Sequence, residues 1–250
     1  MAYNHSQAED ASAWRYCRAP GWAGGKASSQ GNRQGVSLTG IMAHTLLVFH
    51  GFTMNGEVMR DALEPLAAAL EPKVRLVCLN APHTCSAATV ERMYRGWSEA
   101  SRSPPHLCWW NASNDGLDYQ GWQETRDLVG EALDRYAPAS ILGFSQGGTL
   151  AAAVAALSRS GELPPIHAAV LIAGRKPRAA QLQAAFMEPV AVPSLHVWGE
   201  RDTLTGQYCE ELVGCFSAAE RDVVRWPGGH LVPTRGPAFD AIVRFVLEHA

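Results

Sequence analysis

The chain carries Gly143-Phe144-Ser145-Gln146-Gly147-Gly148 directly after the apolar pair Ile141-Leu142 and before an alanine-rich stretch, 149–157. A pentapeptide of the form GxSxG recurs by chance, but between a strand and a helix it describes a sharp turn that holds a serine in a strained backbone conformation with its hydroxyl exposed. Small residues are needed at both flanks, because such a turn presses helix backbone against strand backbone while storing about 1–3 kcal/mol of strain. Gly143 and Gly147 meet that need. The plainer alternative is an ordinary strand-to-helix turn in which Ser145 is only a helix N-cap.

A serine hydroxyl is a poor nucleophile near neutral pH. It needs a histidine to take its proton and a carboxylate to hold that imidazole in the right tautomer. In folds built around this turn, the chain order is Ser, then Asp or Glu, then His. Of the histidines after Ser145, His167 and His196 fall at or inside predicted strands and His249 stands beside the C-terminus. His230, in a loop opened by Pro227-Gly228-Gly229, is the best base. Asp202, in the turn Gly199-Glu200-Arg201-Asp202, is the best acid. The alternative makes Asp202 the cap of a helix beginning near Thr203 and gives the orienting role to Glu200 or Asp222.

A negatively charged intermediate would also need preorganised donors, one from the residue after the nucleophile and one from the loop after an early strand. The backbone amides of Gln146 and Phe52 occupy those positions. His50 then reads as a strand-end residue, Thr53 as a helix-entry cap, and His83 as a loop residue near the site.

Elements of the right kind surround these residues. Apolar runs of strand length at 45–49, 74–79, 140–144, 168–172, 194–198 and 222–225 alternate with helical periodicity at 57–70, 121–136, 148–158, 207–216 and 237–249. That alternation predicts an α/β fold with a mostly parallel central sheet flanked by helices on both faces. In the last helix Phe239, Ile242, Val243 and Val246 share one predicted buried face. Between Asn80 and Tyr119 the chain makes a long excursion, and long loops in compact domains often serve as lids. Met93, Trp97, Trp109 and Trp110 are candidates to line a substrate pocket there, although paired tryptophans are heavy burial material and better suit a short strand packed on the sheet.

The whole chain has 250 residues, 47% hydrophobic and 18% charged, with a net charge of −3. That is enough apolar material for a folded core, and it offers no broad positive field for nucleic acid or anionic lipid. The six cysteines show no CxxC pair and no metal-ligand spacing with histidine, which points to reduced thiols in a cytoplasmic compartment. No apolar run is long enough for a membrane span, and no signal-peptide h-region opens the chain. Residues 1–41 are poor in aliphatic side chains and are expected to be a disordered N-terminal extension or an upstream segment removed from the mature product. Residues 42–250 are then the folded domain.

Four segments together carry a resemblance: Leu46 to Phe52 followed by Asn55-Gly56; Asn80-Ala81-Pro82; Gly143 to Gly148; and Pro227 to Pro233. From about Thr45 to Leu247 the chain resembles the serine hydrolase FSH family, which includes the ovarian-cancer-associated esterase-like proteins. The resemblance implies an α/β-hydrolase fold with Ser145 as nucleophile, Asp202 as acid and His230 as base. It also implies a small-molecule carboxylic ester or thioester as substrate. No metal or organic cofactor is called for, since a triad supplies the acid–base chemistry. Two other outcomes stay open at this level: a chain of the same fold that binds without turning over, and an acyltransferase in which an alcohol replaces water. Oligomeric state is not legible.

Overall fold

The computed structural model describes residues 44–94 and 104–250, so the expected extension over 1–41 and the candidate Trp97 lie outside the described residues. The chain runs β1 (His44–Phe49), α1 (Gly56–Ala62), α2 (Glu64–Leu70), β2 (Val74–Leu79), β3 (His83–Thr84) and α3 (Ala87–Met93). It continues through β4 (Leu107–Cys108), β5 (Asn111–Ala112), β6 (Tyr119–Gln120), α4 (Trp122–Tyr136), β7 (Ser140–Phe144) and α5 (Gln146–Arg159). After β8 (Ala168–Ile172) come a 3-10 helix (Ala180–Phe186), β9 (Ser194–Gly199), α6 (Gly206–Val213), β10 (Arg221–Trp226) and α7 (Pro237–Glu248).

Six strands form one sheet in the order β10-β9-β8-β7-β1-β2, and every neighbouring pair is parallel. Parallel strands need covered faces, and the central ones are accordingly sealed and mostly apolar: β7 and β8 are buried at every position. Side chains alternate between two cores. Leu47, Phe49, Ile141 and Leu171 face α4 and α5, while Leu46, Val48, Leu142 and Val170 face α1, α2 and α7. Each such Leu, Ile, Val or Phe contributes about 1.5–3 kcal/mol by leaving water. In α5, Ala151, Ala152, Ala153, Ala155 and Ala156 are buried, and their small side chains let the helix lie close against the sheet.

From β1 the chain steps outward to β2, returns to β7 on the other side of β1, and then steps outward through β8, β9 and β10. The loops leaving β1 and β7 therefore diverge to opposite faces, and the gap between them opens a crevice at the carboxyl edge of the sheet. Phe52 follows β1 and Ser145 follows β7.

The helix expected over 57–70 is two helices that meet at Leu63. Pro65 has no N–H to give the carbonyl of Asp61, and its ring crowds that position, so one continuous helix is disfavoured. The face predicted for α7 is also rotated: Ala238, Ala241, Ile242, Phe245 and Val246 are buried, whereas Phe239 and Val243 are only partly covered. α6 is shorter than expected, ending at Val213. Thr53 does not cap α1. Its cap is Asn55, whose side chain accepts hydrogen bonds from the amides of Glu57 and Val58.

Candidate active site

Ser145 sits at φ 56°, ψ −114°, a left-handed backbone that a side-chain-bearing residue adopts only when its surroundings impose it. Two bonds impose it: the Ser145 amide donates to the carbonyl of Ile172 at 2.9 Å, and its carbonyl accepts from Thr149 N at 3.0 Å. Gly147 completes the turn, because a Cβ there would lie 2.1 Å from the carbonyl oxygen of Phe49. The start of α5 thus presses directly on the end of β1. Although Ser145 is the N-cap residue of α5, its side chain makes no capping bond. The hydroxyl instead lies 2.9 Å from Nε2 of His230.

His230 is carried by the loop after β10, and Asp202 by the turn after β9. Close backbone contact locks the two together: Glu200 N donates to Trp226 O at 2.8 Å and Arg201 N to Gly228 O at 2.9 Å. Gly199 makes the contact possible, since a Cβ there would stand 2.3 Å from the Gly228 carbonyl oxygen. Both side chains are nearly sealed from solvent, His230 at 1% and Asp202 at 7% exposure. His230 Nδ1 is 2.8 Å from Asp202 Oδ2, and the imidazole packs against the Phe144 ring at a centroid distance of 4.9 Å.

The two oxygens of Asp202 have separate duties. Oδ1 accepts from the amides of Leu204 and Thr205, each at 2.9 Å, while Oδ2 takes His230 and the hydroxyl of Thr205 at 2.7 Å. The capping alternative is not what forms: α6 begins at Gly206 with Thr205 at its N-cap, and Asp202 Oδ1 holds only the turn that leads into the helix, while Oδ2 faces His230. Among the described residues the carboxylate on His230 is neither Glu200 nor Asp222, both of which are exposed. Burial alone would push the Asp202 carboxyl up. The hydrogen bond and charge of His230, together with Thr205, outweigh it and hold the pKa at about 2. An ionised Asp202 can only accept, so Nδ1 of His230 carries the proton and Nε2 is free to accept from Ser145.

The amide of Gln146, as the first residue of α5, has no partner within the helix and emerges beside the serine. Phe52 is half-buried in the loop that leaves β1. The candidate pocket residues fare differently. Met93 is half-buried at the end of α3, whereas Trp109 and Trp110 are buried in the α4–α5 core. Trp109 meets Phe49 edge-on and Trp110 stacks on Tyr119 at 4.4 Å, so neither lines an open pocket. They are not in a strand either, but follow β4, which pairs with β3 away from the main sheet. A groove of about 500 Å³ lies against α2 and α7 and another of about 420 Å³ against the start of α4; neither is lined by Ser145.

Sequence reading missed three contributors. Thr205 braces Asp202, and its place three residues on, the spacing of an Asp-initiated turn, was the available signal. The side chain of Gln146 bonds Trp109 and Trp110, and His50 bridges two loops; neither leaves a trace in local spacing. Among the described residues no group of three His, Cys, Asp or Glu side chains is arranged to hold a metal ion, and no helix is long and apolar enough to cross a membrane.

The model of the family described as Serine hydrolase (FSH1) matches residues 42–242. The chain belongs to this family. Within curated proteins, this serine hydrolase is similar to Esterase OVCA2 of Bos taurus, with 30% identity over 222 residues, 82% of this chain and 96% of that protein. Esterase OVCA2 of Danio rerio is 32% identical over 207 residues, 75% of this chain and 89% of that one. Among solved structures, acyl-protein thioesterase 2 of Zea mays superposes with a TM-score of 0.61 at 18% identity, covering 86% of this chain and 96% of that chain. The fold is that of the α/β-hydrolases, and the family and its esterase-named members make this chain a hydrolase of the esterase type.

Proposed function

We propose that this serine hydrolase cleaves small-molecule carboxylic esters, and thioesters of the same acyl groups, through an acyl-enzyme on Ser145, with residues 42–250 as the hydrolase unit working in the cytoplasm. One observation supports the reading above the others: an unbroken hydrogen-bond chain from Ser145 Oγ through His230 to Asp202, at 2.9 and 2.8 Å, on a serine with forced positive φ. As Ser145 Oγ bonds to the carbonyl carbon, its proton passes to His230 Nε2. The amides of Phe52 and Gln146 receive the charge that develops on the carbonyl oxygen. Collapse of the intermediate breaks the bond to the alcohol or thiol, which takes the proton from His230. Water then repeats the sequence on the acyl-enzyme, and the carboxylic acid leaves.

The thioester half of the proposal takes support from the thioesterase named among the structural neighbours. Ser145→Ala tests the reading: turnover of p-nitrophenyl esters is expected to fall by about 10⁴- to 10⁶-fold with the fold intact. Retention of activity in that variant removes Ser145 from the nucleophile role.

A further inference from the structure

Two amides that must act on one oxygen, those of Phe52 and Gln146, come from separate segments, the loop after β1 and the turn after β7. Hydrogen-bond donors of this kind work only when held within about 0.5 Å of their productive geometry. Gly147 keeps the two segments in contact at their base, but nothing in that contact sets the direction of either amide.

Trp109 reaches both. Its indole Nε1–H donates to the carbonyl of His50 at 2.8 Å, and its backbone N–H donates to the side-chain Oε1 of Gln146 at 3.0 Å. Gln146 closes the second link with its Nε2, which donates to the carbonyl of Trp110 at 2.9 Å. The tryptophan is itself anchored to α4, where the hydroxyl of Thr125 donates to its carbonyl. Its ring lies against the imidazole of His50, with centroids 5.1 Å apart.

His50 carries the constraint forward to Phe52. The Ala81 amide donates to Nε2 of His50 at 3.1 Å, so the ring proton sits on Nδ1, which donates to the carbonyl of Gly51 at 2.8 Å. In a trans peptide the C=O and the following N–H point in opposite directions. The Gly51 carbonyl, which also accepts from the amide of Met54 at 3.1 Å, is thus held between His50 and that turn, and this aims the Phe52 amide the opposite way. Burial keeps this imidazole neutral down to a pKa of about 4, so the arrangement holds across the neutral range.

We propose that Trp109 is a positioning residue that sets the relative placement of the two amides receiving the carbonyl oxygen in the transition state. The inference rests on the triad reading above. It predicts a loss confined to transition-state binding, because ground-state substrate does not depend on a tightly placed oxyanion pair.

The test is Trp109→Phe, which keeps a ring against His50 and deletes the indole donor, with Gln146→Met as a second variant that cuts the other link but leaves the backbone amide. Both are assayed on p-nitrophenyl butyrate and for inhibition by a trifluoromethyl ketone, whose adduct with a serine carries an oxyanion. A displacement of this scale is expected to lower kcat by about 10- to 100-fold, to leave KM within about threefold, and to weaken the ketone in proportion to kcat. A folded Trp109→Phe enzyme with kcat unchanged, or with the loss in KM alone, overturns the proposal. If that variant does not fold, the same two outcomes are read from Gln146→Met. Ser145→Ala run alongside separates the failures: activity surviving there defeats the triad reading, whereas an inactive Ser145→Ala with parent-level kcat in the Trp109 and Gln146 variants defeats this one alone.

Discussion

Replacing Asp202 with asparagine changes one atom, and the surroundings dictate which way round the new amide sits. Asp202 Oδ1 receives two backbone N–H groups at 2.9 Å, and these can only donate. An NH₂ in that corner would leave both unpaired at about 1–3 kcal/mol each, so the amide oxygen must stay there and the NH₂ must face His230 and Thr205. Thr205 can rotate its hydroxyl to accept. His230 Nδ1, 2.8 Å away, must accept as well, which moves the ring proton to Nε2. Nε2 then points a hydrogen at Ser145 Oγ and can no longer take one. A wrong tautomer of this kind costs about 10⁴-fold in kcat, equivalent to about 5 kcal/mol of barrier. Steady-state turnover of p-nitrophenyl butyrate by folded Asp202→Asn protein is the assay, with KM expected to change little. A kcat within about tenfold of the parent enzyme would refute the tautomer argument.

Gly147→Ala places a methyl group 2.1 Å from the Phe49 carbonyl oxygen, and neither backbone can retreat without opening the sheet. The expected cost is about 3 kcal/mol or more, seen as a melting temperature lower by about 6 °C or more, with activity lost even in the folded fraction. An unshifted melting curve would contradict the close approach. Acid should destabilise the protein in two stages. Burial lowers the pKa of both His50 and His196 to about 4, below the 6.5 of an unfolded chain. The unfolded state binds the extra protons between those values, so stability falls as pH drops from about 6.5 to about 4. Asp202, depressed to about 2, contributes stability above its unfolded value near 3.9 that disappears only as pH falls further toward 2. Urea denaturation at pH 7 and pH 4.5 measures the first stage, and His196→Gln should shrink the difference; equal stability at the two pH values would rule the buried neutral histidines out.

The central strands were legible because a strand buried on both faces must be a mostly apolar run, and β7, β8 and β9 are buried at every position, whereas the edge strands β2 and β10 showed only as short Val-containing segments between helical patterns. The three side chains now found in one hydrogen-bond chain could be singled out because glycine-flanked turns after strands leave few places for a reactive side chain. Other features had no comparable signal. Two-residue strands such as β3 and β4 are too short to show a period, and the break at Leu63 needed the steric effect of Pro65 to outweigh a good apolar pattern. Trp109 shows the deeper limit. An aromatic residue in a long loop suits a pocket wall or a core equally well by composition, and only the third dimension reveals its bonds to His50 and Gln146.

Acyl transfer through Ser145 requires first of all that its hydroxyl be activated. Treating the protein with a fluorophosphonate and mapping the adduct by peptide mass spectrometry reads this without knowledge of the substrate. A single phosphonyl group on Ser145, absent after Ser145→Ala, is the predicted result. An unlabelled protein, or an adduct on any other residue, would contradict it.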